Sequence, residues 1–149
     1  MSVDDRLKEL GIELPAPVVP AANYVRYQIT GNLLYISGTG PSDEHPRGKV
    51  GRDVSLDEAY QAARSVGLQL LATAREALGS LDRITKTVKV LGMVNSDPDF
   101  GDHPKVINGC SDLLVEVLGD AGRHTRSAIG FVALPNQISV EIEATFEFE

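Results

Sequence analysis

A single cysteine, Cys110, serves the whole 149-residue chain, which excludes an intrachain disulfide framework and a paired-cysteine metal knuckle. Positive charge is also short: Lys and Arg number 14 against 21 Asp and Glu, a net charge of -7. A surface of that sign repels phosphate backbones and anionic lipid, so neither nucleic acid nor a membrane is an expected partner. It leaves room for a small basic pocket that takes a small anion. No apolar run approaches the roughly 18 residues that suggest a membrane span. The opening MSVDDRLKEL has acidic residues where a secretion signal has a basic region and an apolar run. A reducing, cytoplasmic setting is the expectation.

What is present is the composition of an ordinary globule, 42% hydrophobic and 23% charged. A chain this long buries roughly 68–70% of its unfolded surface, enough for one core without covalent help. Residues Val3 to Leu10 suit a short amphipathic helix closed by Gly11. Pro15, Pro17 and Pro20 then impose an extended arm, so residues 1–20 read as a helix and arm leading into a domain over 21–149.

Within that domain, Tyr24 to Ile29 alternates as a half-buried strand, with Val25, Tyr27 and Ile29 on one face. Thr30-Gly31-Asn32 turns it into a second strand, Leu33 to Ser37. Gly38 to Asp53 reads as a long surface loop. Ser55 and Glu58 have capping-box spacing and open a helix to about Leu78. Ile84 to Val94 is a β-branched strand, and Pro104 fits the first turn of a helix that runs to Gly119. Two strands close the chain, Ser127 to Leu134 and Ile138 to Phe148. The expected fold is therefore α+β in the order β-β-α-β-α-β-β, a mixed sheet with its two main helices packed on one face. In the last strand Ile138, Val140, Ile142, Ala144, Phe146 and Phe148 point under the helices, and Ser139, Glu141, Glu143, Thr145, Glu147 and Glu149 point the other way.

Few residues suggest chemistry. His45, His103 and His124 fall in three segments without HxH or HxxxH spacing, so no metal is assigned. Cys110 sits on the apolar stripe of the second main helix, as a small buried hydrophobe does. Gly38-Thr39-Gly40 is too short for a phosphate-cradling glycine fingerprint, and there is no G-x-S-x-G elbow. The C-terminal constellation stands apart: His124-Thr125-Arg126-Ser127, Leu134-Pro135 and Val140-Glu141-Ile142-Glu143-Ala144. A guanidinium opening a strand can grip a carboxylate with two parallel hydrogen bonds. A glutamate flanked by apolar residues can orient or deprotonate a water. The same pair also fits an exposed arginine and one of several solvated strand glutamates.

From about Tyr24 to Phe148 the chain resembles the RidA (YjgF) family. The resemblance is carried by Tyr24 ahead of Gly31-Asn32, by Ile36-Ser37-Gly38, by Asn108, and above all by Arg126-Ser127, Leu134-Pro135 and Val140-Glu141-Ile142-Glu143-Ala144. It implies a chorismate-mutase-like fold assembled as a homotrimer, with sites between subunits. It further implies hydrolysis of reactive enamines and imines of the 2-aminoacrylate type to a 2-keto acid and ammonia, with no metal or organic cofactor. On that resemblance Arg126 holds the substrate carboxylate and Glu141 positions the attacking water. Tyr24 lines the pocket from a neighbouring subunit, and Ser37, the backbone at Gly38, and Asn108 contact substrate.

Departures mark a divergent branch. The family's common Cys two residues after the arginine is Ala128, its usual small residue or Pro two before is His124, and Thr39 replaces a frequent Gln. Two other functions fit the same scaffold: a non-catalytic module binding small carboxylates or a protein partner, and an endoribonuclease. The acidic balance and scattered histidines argue against the last.

Overall fold

A computed structural model describes residues 1–149 as eight regular elements. They are α1 (Val3–Glu9), β1 (Tyr27–Thr30), β2 (Leu33–Thr39), α2 (Leu56–Leu78), β3 (Ile84–Asn95), α3 (His103–Leu118), β4 (Thr125–Phe131) and β5 (Val140–Phe148). The strands form one sheet in the order β1-β2-β5-β3-β4. Only β3 and β4 run parallel, joined by the α3 crossover, and the other neighbours are antiparallel. The mixed α+β fold expected from the sequence is present.

Helix starts follow side-chain chemistry. Ser55 and Glu58 close a reciprocal capping box at the head of α2, satisfying two otherwise orphaned backbone donors. Along α2, Ala59, Ala63, Val66, Leu70 and Ala74 make the apolar stripe, and Ala62, Leu71 and Ala72 widen it because α3 packs beside the sheet contact. A Cβ on Gly109 would collide with the Tyr60 carbonyl, so the close approach of α3 to α2 requires glycine there. Tyr60 and Asp112 tie the two helices through a 2.7 Å hydrogen bond.

One core lies between the helices and the sheet. Leu34, Ile36, Val90, Val94, Val140, Ile142, Ala144 and Phe146 supply its sheet side, and Leu7 of α1 is buried in the same cluster. The β5 alternation is as expected, with Ser139 the exception. It has the parity of the polar face yet is fully buried, because the tight turn at Pro135–Gln137 folds the chain back before β5 begins.

Other boundaries differ from the sequence reading. The chain bends around residues 24–26 and pairs only from Tyr27, which leaves Val25 exposed, and Ile29, though paired with Leu34, is exposed on the edge strand β1 rather than half-buried. The loop after β2 is not wholly superficial: Val50 and Val54 enter the core, and Val50 bridges to Ser96. Strand β4 begins at Thr125 and ends at Phe131, earlier than expected, because its pairing with β3 stops at Asn95.

Candidate functional site

Register on the central strands decides where each candidate side chain points. Val140 and Ile142 face the core, so Glu141 between them projects onto the open face of the sheet, opposite Met93 of β3. Pairing of β2 with β5 slips between Ile36 and Thr39, which brings the backbone of Gly38 beneath the Glu141 carboxylate. A Cβ at position 38 would collide with Glu141 Oε2 and stand 3.1 Å from its Cδ, so this approach exists only with glycine. Burial pushes the Glu141 carboxyl above the usual range, and the charge of Glu143 adds to the effect.

Ser37 is beside this pair but its hydroxyl is occupied. Ser37 Oγ donates to the Val25 carbonyl at 2.7 Å, and its backbone N–H donates to Arg26 O at 2.9 Å. These bonds hold the bend that precedes β1. Ser37 also lines a groove of about 390 Å³ on the open face, with Tyr35, Lys89, Leu91 and Thr145.

Arg126 lies on the other side of the sheet. In the β3–β4 ladder it sits opposite Val90, which is buried against the helices. Its guanidinium therefore reaches α3: NH1 donates to Ser111 Oγ at 3.1 Å and NH2 to the Pro104 carbonyl at 3.2 Å. Pro104, Asn108 and Ser111 follow i, i+4, i+7 spacing, one stripe of a helix, so the guanidinium spans the stripe on which Asn108 sits.

His124, the residue before β4, completes this cluster. Its Nε2 is 2.8 Å from Ser111 Oγ and its Nδ1 is 2.6 Å from the Gly122 carbonyl. Burial pushes its pKa below the usual histidine value; the Gly122 carbonyl opposes this and the Arg126 charge reinforces it. The remaining histidines are elsewhere, His103 against Ser96 at 3.2 Å and His45 against Glu44 at 3.9 Å. The buried Cys110 thiol is pushed up to about 12 by desolvation.

Tyr24 is 46% exposed and precedes β1, at the sheet edge opposite the one formed by β4. The six sequence-derived residues thus divide between the two sides of the sheet: Glu141 with Gly38 and Ser37 on the open face, Tyr24 next in the chain to the Val25 whose carbonyl Ser37 binds, and Arg126 over the α3 stripe that carries Asn108. Strand parity keeps Glu141 and Arg126 on opposite faces, and sheet order keeps Tyr24 away from Arg126. Ser111 was missed by the sequence reading. The available signal was its polar side chain three residues after Asn108, on the same stripe of the helix. The largest cavity, about 850 Å³, lies between residues 13–18, Pro41–His45 and α2, and none of the six lines it.

An α2–α3 pair laid on one face of a β1-β2-β5-β3-β4 sheet, with an Arg126 and a Glu141 fifteen positions apart on β4 and β5, defines a class. Residues 4–140 match the family described as "YjgF/chorismate mutase-like, putative endoribonuclease", and the chain belongs to this RidA (YjgF) family. It is 41% identical over 145 residues to protein TCP17 of Trypanosoma cruzi, covering 95% of this chain and 91% of that one. The crystal structure of Atu1372 from Agrobacterium tumefaciens, a protein of unknown function, superposes with a TM-score of 0.91 at 44% identity over 99% of this chain and 92% of that one. RidA from an Antarctic Psychrobacter superposes with a TM-score of 0.60 at 26% identity, covering 89% and 94% of the two chains.

Proposed function

We propose that the protein hydrolyses 2-imino acids, and the 2-aminoacrylate-type enamines that tautomerise to them, to a 2-keto acid and ammonia. The observation that carries this reading is the state of Arg126. A guanidinium has five N–H donors, and two are held by α3, which leaves three for a ligand on a group whose direction is already fixed. That is the arrangement for gripping a carboxylate in a bidentate manner. Such a grip needs no metal and no organic cofactor.

The chemistry asks little more. Water adds to the electrophilic C2 of the imine, forming a C–O bond while the C=N π pair moves to nitrogen. Glu141 takes the proton that the water gives up and returns one to the departing nitrogen. Transfer of the carbinolamine hydroxyl proton to the nitrogen through the same carboxyl then lets the C–N bond break, releasing ammonia as the C2–O bond becomes the keto group. A carboxyl pushed up by burial is a stronger base than an ordinary one, which suits this role.

Assembly is part of the proposal. Arg126 and Tyr24 sit at opposite sheet edges and Glu141 on the open face, so a pocket using all three draws on more than one copy. A homotrimer with sites between subunits meets that requirement, and light scattering tests it; a monomer at micromolar concentration contradicts it. In a coupled amino-acid oxidase assay, Arg126→Ala is expected to lose about a hundredfold in kcat/KM for 2-iminopropanoate, since a charged hydrogen-bonding partner is removed. Turnover at the wild-type rate would show the carboxylate clamp to be wrong.

Two other readings have distinct signatures. Calorimetric binding of keto acids that needs Arg126, without imine turnover, favours a carboxylate-binding module. The family's description supports an endoribonuclease reading, which a net charge of -7 opposes. RNA cleavage by the purified protein, lost in Glu141→Ala, would reverse that judgement.

A further inference from the structure

The geometry points to Ser111 and His124 as positioning residues that form a proton-ordered chain, Arg126 to Ser111 to His124 to the Gly122 carbonyl, fixing the guanidinium edge offered to substrate. The inference rests on the reading of Arg126 as a carboxylate clamp, and it assigns two residues that the resemblance to the family leaves unassigned.

Each proton in the chain has one consistent place. The Gly122 carbonyl only accepts, so the 2.6 Å contact requires the proton on His124 Nδ1. In a neutral ring Nε2 is then an acceptor, and the 2.8 Å contact requires the Ser111 hydroxyl to donate to it. With its hydrogen committed, Ser111 Oγ presents lone pairs, and Arg126 NH1, which only donates, fills one at 3.1 Å. Burial of the ring, reinforced by the Arg126 charge, favours the neutral form that this order needs.

Three elements are tied together by this chain: β4 through Arg126, α3 through Ser111, and the turn after α3 through Gly122, which is itself buried. A serine alone at the end of a long arginine leaves its hydroxyl free to rotate among staggered positions, and the guanidinium with it. His124 removes that freedom. Together with the Pro104 carbonyl on NH2, the serine sets both the position and the plane of the guanidinium. A bidentate grip depends on that plane, because misplaced donors lose much of the benefit of preorganisation. The position two residues before Arg126 is thus a second determinant of how the clamp is aimed, and it acts without touching the ligand.

The test uses the full chain with 2-ketobutyrate as the calorimetric probe and side-chain ¹⁵N NMR as an activity-independent readout. Wild type is expected to show His124 as the neutral Nδ1–H tautomer. Ser111→Ala and His124→Asn are each expected to raise the Kd by about tenfold, the scale of one lost charge-linked hydrogen bond. His124→Asn keeps a donor for the Gly122 carbonyl while losing the acceptor for Ser111, so it separates the chain from simple loop closure. The double variant is expected to be no worse than either single one, since both act through the same guanidinium, and Ser111→Thr restores affinity by restoring the hydroxyl. An Nε2–H tautomer in wild type, additive losses, or an unchanged Kd in Ser111→Ala overturns the inference. If wild type binds no keto acid, the clamp reading fails by itself and the chain is judged on Arg126 proton exchange. Faster guanidinium exchange in Ser111→Ala then supports the chain, and unchanged exchange overturns it.

Discussion

The two faces of the sheet obey different rules. On the helix side, Leu34, Val90, Val94, Val140, Ile142 and Phe146 have no exposed surface, and every polar group among them belongs to the backbone ladder. On the open side, Tyr35 is 45% exposed, Leu91 and Met93 are half-buried, and Glu141 and Glu143 stand among them. The first face is finished within one chain. The second mixes apolar area with a carboxylate held up in pKa, and its residues gain by being covered. Stability is therefore concentrated on the helix side, whereas the candidate chemistry is divided, with Glu141 on the open face and Arg126 reaching α3 on the helix side.

Substitutions can break that division in order of size. Phe146→Ala, on the finished face, is expected to cost about 3–5 kcal/mol in chemical denaturation, the usual range for an aromatic removed from a packed core. Tyr35→Ala, on the open face, is expected to cost less than about 1 kcal/mol in the isolated chain. A loss as large as that of Phe146→Ala would erase the distinction.

Gly38→Ala sharpens it next. The added methyl would occupy the space of the Glu141 carboxylate, so that side chain must swing away. Imine turnover is expected to fall by about tenfold or more, as displacement of a positioned base does. Thermal stability is expected to change little, because the open face carries little of it.

The smallest effect is the most diagnostic. Burial raises the Glu141 carboxyl in the folded chain, so its contribution to stability is fully present below its unfolded value and is lost as pH rises through the folded value. Glu141→Gln is therefore expected to raise the melting temperature slightly at pH 7 and leave it unchanged near pH 4. For turnover the same group must be ionised, so wild-type activity is expected to decline as pH falls through a value above 4.5. Scanning calorimetry and a pH–rate profile check the two directions.

The sequence-to-structure correspondence divides along similar lines. The core face of β5 was legible because Val140, Ile142, Ala144 and Phe146 keep a strict period of two over a long strand. The start of α2 was legible because Ser55 and Glu58 are chemically committed to a cap. Ser139 was not, since its burial comes from a turn where Asn136 and Gln137 both take positive φ, which no periodicity announces. Arg126 and Glu141 were recognisable one at a time, but the faces they occupy depend on how β3 pairs with β4 and β5, a non-local choice. Ser111 was hidden for a related reason: its two partners arrive from beyond the end of α3, and only the packed chain brings them back.

The strand order has a consequence for how the chain is made. Strand β5 is the last in sequence and the middle one in space, between β2 and β3. During synthesis, the β1–β2 hairpin and the β3-α3-β4 crossover can each form from local contacts as they leave the ribosome. Their strands cannot be joined into one sheet until residues 140–148 emerge, and both wait with an unpaired edge, of β2 in one and of β3 in the other. Closure is then a single late event with long loops to pay for, which slows folding. A nascent chain stalled short of Val140 would present two open edges to its neighbours on a polysome, and that is the stage at which a chaperone has most to protect.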